Sequence, residues 1–333
     1  MHKLIFGTAL LLLTACGSAG NAGNASAQSR TDSTEVRQSH PVFDADSAYQ
    51  RVADQVAFGP RVPGSEGHKK CEDYIVATLR RYGADSVSVQ RGEVKAFNGK
   101  RLPVANVMAS FNPGAPRRVL FVAHYDTRPW ADQDPDESRR SQPILGANDG
   151  GSGVGVMLEM ARAFSQQKPA VGVDFLFTDV EDYGAPDDEG TGEDSWCLGT
   201  QFWAERGPYA PQNRPAYGVV LDMVGGTGAT FPREYASSRM APSVVDRVWG
   251  VAAASDYASR FPNEMGGAIV DDHYYVNSVG IPCIDVIESA NPQTGGFPPT
   301  WHTHADNLDN IDRSTLKAVG EVMLDLIYSE PAR

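Results

Sequence analysis

From Ala45 onward, two hydrophobic periods alternate along the chain. Apolar residues recur at helical spacing in "ADSAYQRVADQVAF", "GHKKCEDYIVATLRRYG", "GGSGVGVMLEMARAF", "SVVDRVWGVAAASD" and "RSTLKAVGEVMLDLIYS", which predicts five helices. Between them lie short β-rich runs: "SVSVQRGEV", "VANVMASF", "RVLFVAHYD", "VGVDFLFTDVED", "YGVVLDMVG" and "IPCIDVIE". Several of these runs are apolar on both faces, as strands are when helices cover them from both sides. The alternation predicts an α/β fold with an open sheet, whose functional groups gather beyond strand ends. No internal repeat interrupts it.

The first residues follow a different rule. Lys3 precedes an apolar stretch from Leu4 to Ala15, well short of the ~20 residues a membrane-spanning helix needs. It reads as an export signal over residues 1–15. The "LTAC" that ends it looks like a bacterial lipobox, in which Cys16 becomes the lipid-modified first residue. Residues 16–40 have few large apolar side chains and cannot offset the entropy of ordering, so they are expected to form a flexible tether. A single catalytic domain is expected over residues 41–333. This places the protein as an exported bacterial lipoprotein, membrane-anchored and facing the periplasm.

Composition narrows the function classes. The 29 Lys and Arg against 42 Asp and Glu leave a formal charge of −13, which argues against a nucleic-acid binder and against a basic membrane-surface patch. Contact with membrane is expected through the lipid alone, and the domain is expected to be a monomer. Without Cys16, three cysteines remain, Cys71, Cys197 and Cys283; the odd number and absence of CxxC spacing exclude a dense disulfide framework. Cys283 falls inside "GIPCIDVI" and is expected in the core.

Chemistry-bearing groups fall at the end of one apolar run after another. "VLFVA" ends in His124 and Asp126, "VDFLFTDV" in Glu181 and Asp182, and "VVLDMV" carries Asp222. Asp149 directly precedes the helical "GGSGVGVMLEMARAF". "VDDHYYV" adds Asp271, Asp272 and His273, and "TWHTHADN" adds His302 and His304. Carboxylates side by side at a sheet edge raise one another's pKa unless a cation neutralises them. A divalent metal is the simplest such cation. Oxygen and imidazole donors without thiolates suit a catalytic zinc with three protein ligands and an open position, and other divalent ions remain open on residue type.

"HYDT", "GANDGGSG", "VED", "LDMVG" and "WHTHADN", in this order, resemble the zinc-dependent aminopeptidase fold family from about Val42 onward. Within it they resemble the glutaminyl cyclase branch, above all its exported bacterial members. The resemblance implies a three-layer α/β/α domain with a central twisted sheet, mixed but mostly parallel, flanked by helices. In the aminopeptidases it implies two zinc ions held at positions matching His124, Asp149, Asp182, Asp222 and His302. In the cyclases it implies one zinc on Asp149, Asp182 and His302, leaving Asp222 to share a hydrogen-bond network with Asp271. "VDDH" followed by a Gly-Ile-Pro strand, and Trp301 before the ligand His302, match the cyclase pattern; aminopeptidases more often carry Ser or Thr before the Asp-His. Asp182 is shorter than the Glu of animal cyclases, and Ala123 stands where those have a disulfide Cys.

The cyclase resemblance implies an enzyme that converts the N-terminal glutamine of peptides and exported proteins to pyroglutamate with release of ammonia. Glu181 is then the proton carrier, Asp222 and Asp271 hydrogen-bond the reacting species, and Trp301 and Trp196 wall the substrate pocket. The alternative is a zinc aminopeptidase. A binding protein of the same fold is disfavoured because no ligand position is lost. Two polar loops, "RPWADQDPDESRRSQPIL" and "YGAPDDEGTGEDSWCLG", follow catalytic strand ends and are expected to shape access. The acidic run Asp187–Asp194 lacks EF-hand spacing and reads as solvated rather than calcium-binding.

Overall fold

A computed structural model of the chain describes residues 39–186 and 193–332. The signal segment, Cys16, nearly all of the tether and most of the acidic run lie outside the described residues. Among the described residues, six strands form one sheet: β1 (Ser86–Lys95), β2 (Arg101–Phe111), β3 (Arg118–His124), β4 (Gly172–Thr178), β5 (Tyr217–Leu221) and β6 (Cys283–Val286), in the order β1-β2-β4-β3-β5-β6. Strands β4, β3, β5 and β6 run parallel, while β2 pairs antiparallel with β4 and β1 closes that edge. All six coincide with β-rich runs of the sequence.

Among the described residues, eight α-helices accompany them: α1 (Ala45–Val56), α2 (Glu66–Arg81), α3 (Ser152–Gln166), α4 (Leu198–Ala204), α5 (Tyr235–Met240), α6 (Pro242–Ala253), α7 (Asp272–Ser278) and α8 (Arg313–Ser329). The capping chemistry is local. Asp44 accepts from the N–H groups of Asp46 and Ser47, and Asp312 from that of Ser314, which satisfies amides that helix starts leave free. The three helices the periodicity did not reveal, α4, α5 and α7, have six or seven residues each, too short to show a period.

Alternation along β3 builds both faces of the sheet. Val119, Phe121 and Ala123 enter one cluster with residues of α1, α3 and α8, while Leu120 and Val122 enter another with Trp203 of α4 and Val276 of α7. Helices therefore cover both faces, giving the three layers. Cys283 is buried in the second cluster, as expected. The packed chain starts slightly before Pro41: the Ser39 carbonyl accepts from Gln167 Nε2 at 2.8 Å, and His40 Nε2 lies 3.2 Å from Asp325 Oδ1.

The parallel strands end together, which brings His124, the turn after Thr178 and Asp222 to one edge of the sheet. Helix α3 begins there. Its Gly153 packs so close to β5 that a Cβ would overlap the Leu221 carbonyl oxygen, so this position keeps the Asp149 turn seated against the strand ends.

Candidate metal centre and active site

Two triads share one carboxylate at this edge. Asp149, Asp182 and His302 present ligand atoms within 4.8 Å of one another, and so do His124, Asp149 and Asp222. His302 Nε2 is 3.2 Å from Asp182 Oδ1 and 3.6 Å from Asp149 Oδ2, while His124 Nε2 is 3.1 Å from Asp149 Oδ1 and 3.2 Å from Asp222 Oδ1. Asp149 thus turns one oxygen to each histidine.

The donor set fits a divalent cation. Asp149 Oδ2 and Asp182 Oδ2 are buried without a hydrogen-bond partner, a costly state for carboxylate oxygens unless a cation meets them. Burial, with Asp149 alongside, pushes Asp182 up to about 6 even though His302 and Arg128 oppose the shift. Two oxygens and one imidazole nitrogen match a catalytic zinc with a position left open.

Backbone amides aim these groups. Asp126 accepts from the N–H of Glu181 at 3.1 Å and of Asp182 at 3.2 Å, and Asp306 accepts from Asn148 at 2.7 Å and Asp149 at 3.0 Å. The Asp149 and Asp182 loops therefore each hang from a buried carboxylate. Around the site Val180 (φ 53°), Cys197 (φ 54°), Met223 (φ 47°) and His302 (φ 55°) occupy the left-handed region without being glycine, and such strain collects where surroundings over-determine the backbone.

A second set of groups stands behind the ligands. Asp132 Oδ1 lies 3.2 Å from His302 Nδ1, an ion-pair contact rather than a well-aligned hydrogen bond. Arg128 grips Asp132 with Nε at 2.9 Å and Nη2 at 2.5 Å, and its Nη1 donates to the carbonyls of Asp182 and Gly184, both at 3.1 Å. The Arg128 guanidinium is fully buried, 4.7 Å from the centre of the Trp196 ring and 5.1 Å from that of Trp130. His304 Nδ1 meets Asp134 at 2.7 Å. The loop expected only to shape access therefore braces both ends of the site.

A cavity of about 350 Å³ opens on this edge, and every site residue that the cyclase resemblance implies in the domain lines it: Asp149, Glu181, Asp182, Trp196, Asp222, Asp271, Trp301 and His302. The Trp301 ring stacks on His302 with centroids 3.7 Å apart, and Trp196 lies parallel to the same imidazole at 6.0 Å. Ile269, Ile287 and Phe297 complete an apolar wall. Glu181 contributes a carboxylate that belongs to neither triad; burial pushes its pKa well above the usual range, His124 opposing and Asp271 and Asp182 adding to the shift. Asp222 turns to His124, and Asp271 clusters with His273 and Asp285, whose carboxyl is pushed well up by burial and by Asp271. Arg128, Asp132 and Asp285 carried no sequence signal beyond an acidic or basic residue near a strand end.

Residues 106–327 match the profile of Peptidase family M28. The solved glutaminyl cyclase of Tannerella forsythia is 49% identical, with a TM-score of 0.84 over 87% of this chain and 100% of that one. A Zn-dependent exopeptidase of Parabacteroides distasonis is likewise 49% identical, with a TM-score of 0.84 over 88% of this chain and 100% of that one. The glutaminyl-peptide cyclotransferase of Bos taurus is 26% identical over 298 residues, 79% of this chain and 76% of the relative. A family match running from β2 into α8, over the loops that carry both triads, means that the chain belongs to peptidase family M28.

Proposed function

We propose that the protein is a zinc-dependent glutaminyl-peptide cyclotransferase acting on the N-terminal glutamine of peptides and exported proteins. The observation that carries this reading is Glu181: a carboxylate outside both triads, in a tryptophan-walled cavity, between ligand Asp182 and the buried acid Asp271. The relationship to a solved glutaminyl cyclase at 49% identity supports it.

Asp149, Asp182 and His302 would hold one zinc per chain, which supplies Lewis-acid polarisation of the side-chain amide oxygen. The reaction joins the substrate's α-amine nitrogen to its side-chain amide carbon and breaks the bond from that carbon to the amide nitrogen. Glu181 takes a proton from the attacking amine and returns it to the departing nitrogen, which leaves as ammonia. Proton transfer of this kind is worth ~10²–10⁴-fold. Trp301 and Trp196 flank the glutamine stem and exclude water, and Asp271 and Asp222 hydrogen-bond the polar groups at the end of the cavity. The peptide continues out through the mouth.

The second reading is a zinc aminopeptidase, favoured by the completeness of the His124–Asp149–Asp222 triad and by the exopeptidase relative. A Gln-Xaa peptide separates the two. The cyclase removes the mass of one ammonia and leaves an end resistant to amine labelling; an aminopeptidase releases free glutamine. A Leu-Xaa peptide should be untouched, and free amino acid without ammonia from either peptide overturns the proposal.

The same proposal places the enzyme in the periplasm as a monomer held to membrane by lipid on Cys16 alone, without nucleic-acid partners. No helix among the described residues is long and apolar enough to cross a membrane. A Cys16→Ser variant should leave the membrane fraction; retention there would require another anchor.

A further inference from the structure

Between Trp196 and Leu198 the chain passes through the left-handed region at Cys197, φ 54° and ψ 33°. The turn splits two adjacent side chains between two tasks. Trp196 lines the cavity beside His302, while Cys197 is fully buried with Sγ 3.4 Å from Glu181 Oε1. The backbone fixes this contact from both sides, because Cys197 N–H donates to the Glu181 carbonyl and Leu198 N–H to that of Val180, each at 3.0 Å. Next to them, a Cβ on Gly199 would overlap the Asp179 carbonyl oxygen, so α4 starts in direct contact with the Glu181 loop.

Among the described residues, the thiol is the one hydrogen-bond donor to the Glu181 carboxylate. The opposite oxygen, Oε2, has His124 Nδ1 at 3.8 Å, beyond hydrogen-bond reach. Burial pushes the thiol pKa well above its usual value, so the S–H remains a donor. The other two described thiols meet their acceptors at longer range, Cys71 at 3.9 Å from Gln55 Oε1 and Cys283 at 3.7 Å from the Ile284 carbonyl.

We infer that Cys197 is a positioning residue for the proton carrier: its S–H···Oε1 bond anchors one Glu181 oxygen and leaves Oε2 free to exchange the proton with substrate. The inference rests on the assignment of Glu181 made above. A weak neutral donor holding a carboxylate this way stabilises modestly, on the order of a single ordinary hydrogen bond. Its loss should appear in turnover and not in binding.

Three arms test it. Cys197→Ala should lower kcat by roughly three- to tenfold, with KM and zinc content unchanged. Cys197→Ser, which keeps a donor, should lie nearer the parent than Cys197→Ala does. In infrared spectra, the S–H stretch that vanishes in Cys197→Ser should lie below those of Cys71 and Cys283 and rise in Glu181→Ala. Equal impairment of the Ser and Ala variants would reduce Cys197 to packing, and full activity in Cys197→Ala or an unshifted band would end the proposal. If the parent forms no pyroglutamate, the reaction assignment fails instead, and the infrared arm still decides whether the thiol holds Glu181.

Discussion

Replacing Asp132 by Asn tests whether the Arg128 loop sets metal affinity. The carboxylate serves two partners: Oδ1 faces both Arg128 Nε at 2.9 Å and His302 Nδ1 at 3.2 Å, and Oδ2 accepts from Arg128 Nη2 at 2.5 Å. An amide keeps the shape, but with its oxygen in the Oδ1 place it turns an NH2 group to Arg128 Nη2, donor against donor, and it carries no charge to stabilise the imidazole. Outer-shell carboxylates on ligand histidines typically govern 10–100-fold in metal affinity. Asp132 keeps 18% of its side-chain surface exposed, which screens part of its charge, so the middle of that range applies. Zinc affinity should fall by about 30-fold, or roughly 2 kcal/mol. Competition against a chromophoric chelator reads the affinity directly, and thermal unfolding of the metal-free proteins separates a local effect from a global one. Affinity within threefold of the parent, or a loss explained entirely by lower metal-free stability, would refute the bracing role.

Glu181→Gln should retain zinc and lose turnover by ~10²-fold or more; retained ammonia release would remove Glu181 from its role. Metal analysis should give about one zinc per chain, kept in Asp222→Ala and abolished in Asp149→Ala, because Asp149 belongs to both triads; two tightly held ions would favour the peptidase reading. Away from the metal, Glu234 is fully buried, and although burial raises its pKa, the His273 contact at 3.4 Å and the Ser237 amide hold it at about 2. A carboxyl held below its unfolded value stabilises the fold above about pH 4.5 and loses that contribution as pH falls toward 2. Acid unfolding of Glu234→Gln should therefore show a shallower pH dependence across that window, with up to about 3 kcal/mol missing at neutral pH; superimposable curves would contradict the assignment.

The sheet was legible because it depends on short-range pattern: an apolar run predicts a strand, and an acid or His at its end predicts a group at the sheet edge, which points to His124, Asp182 and Asp222. Asp149 before a helical pattern and His302 in a polar loop needed the family resemblance, as did the choice of ligands among these groups. The brace was not legible. Arg128 and Asp132 are four residues apart in a loop without period, and nothing local tells that their partner is His302 in another loop. In sequence Cys197 reads only as one of an odd number of cysteines without CxxC spacing, because its meaning depends on a left-handed turn that sequence does not announce at a cysteine. The Asp271 pairing also needed three dimensions: Asp285 sits inside a strand that reads as plain core, and only the packing of α7 on β6 brings it to Asp271.

The left-handed residues have a consequence for anyone who would make the protein sturdier. Strained positions cost on the order of 1–3 kcal/mol each, and at Val180, which is β-branched, relief by glycine looks attractive on backbone grounds alone. Yet Val180 and Cys197 lie on the two strands of chain that clasp Glu181, Met223 follows Asp222, and His302 is itself a ligand. Selection for heat resistance at these four sites would thus select for a looser catalytic edge. The durable gains lie on the far side of the sheet, where rigidity and turnover do not compete for the same residues.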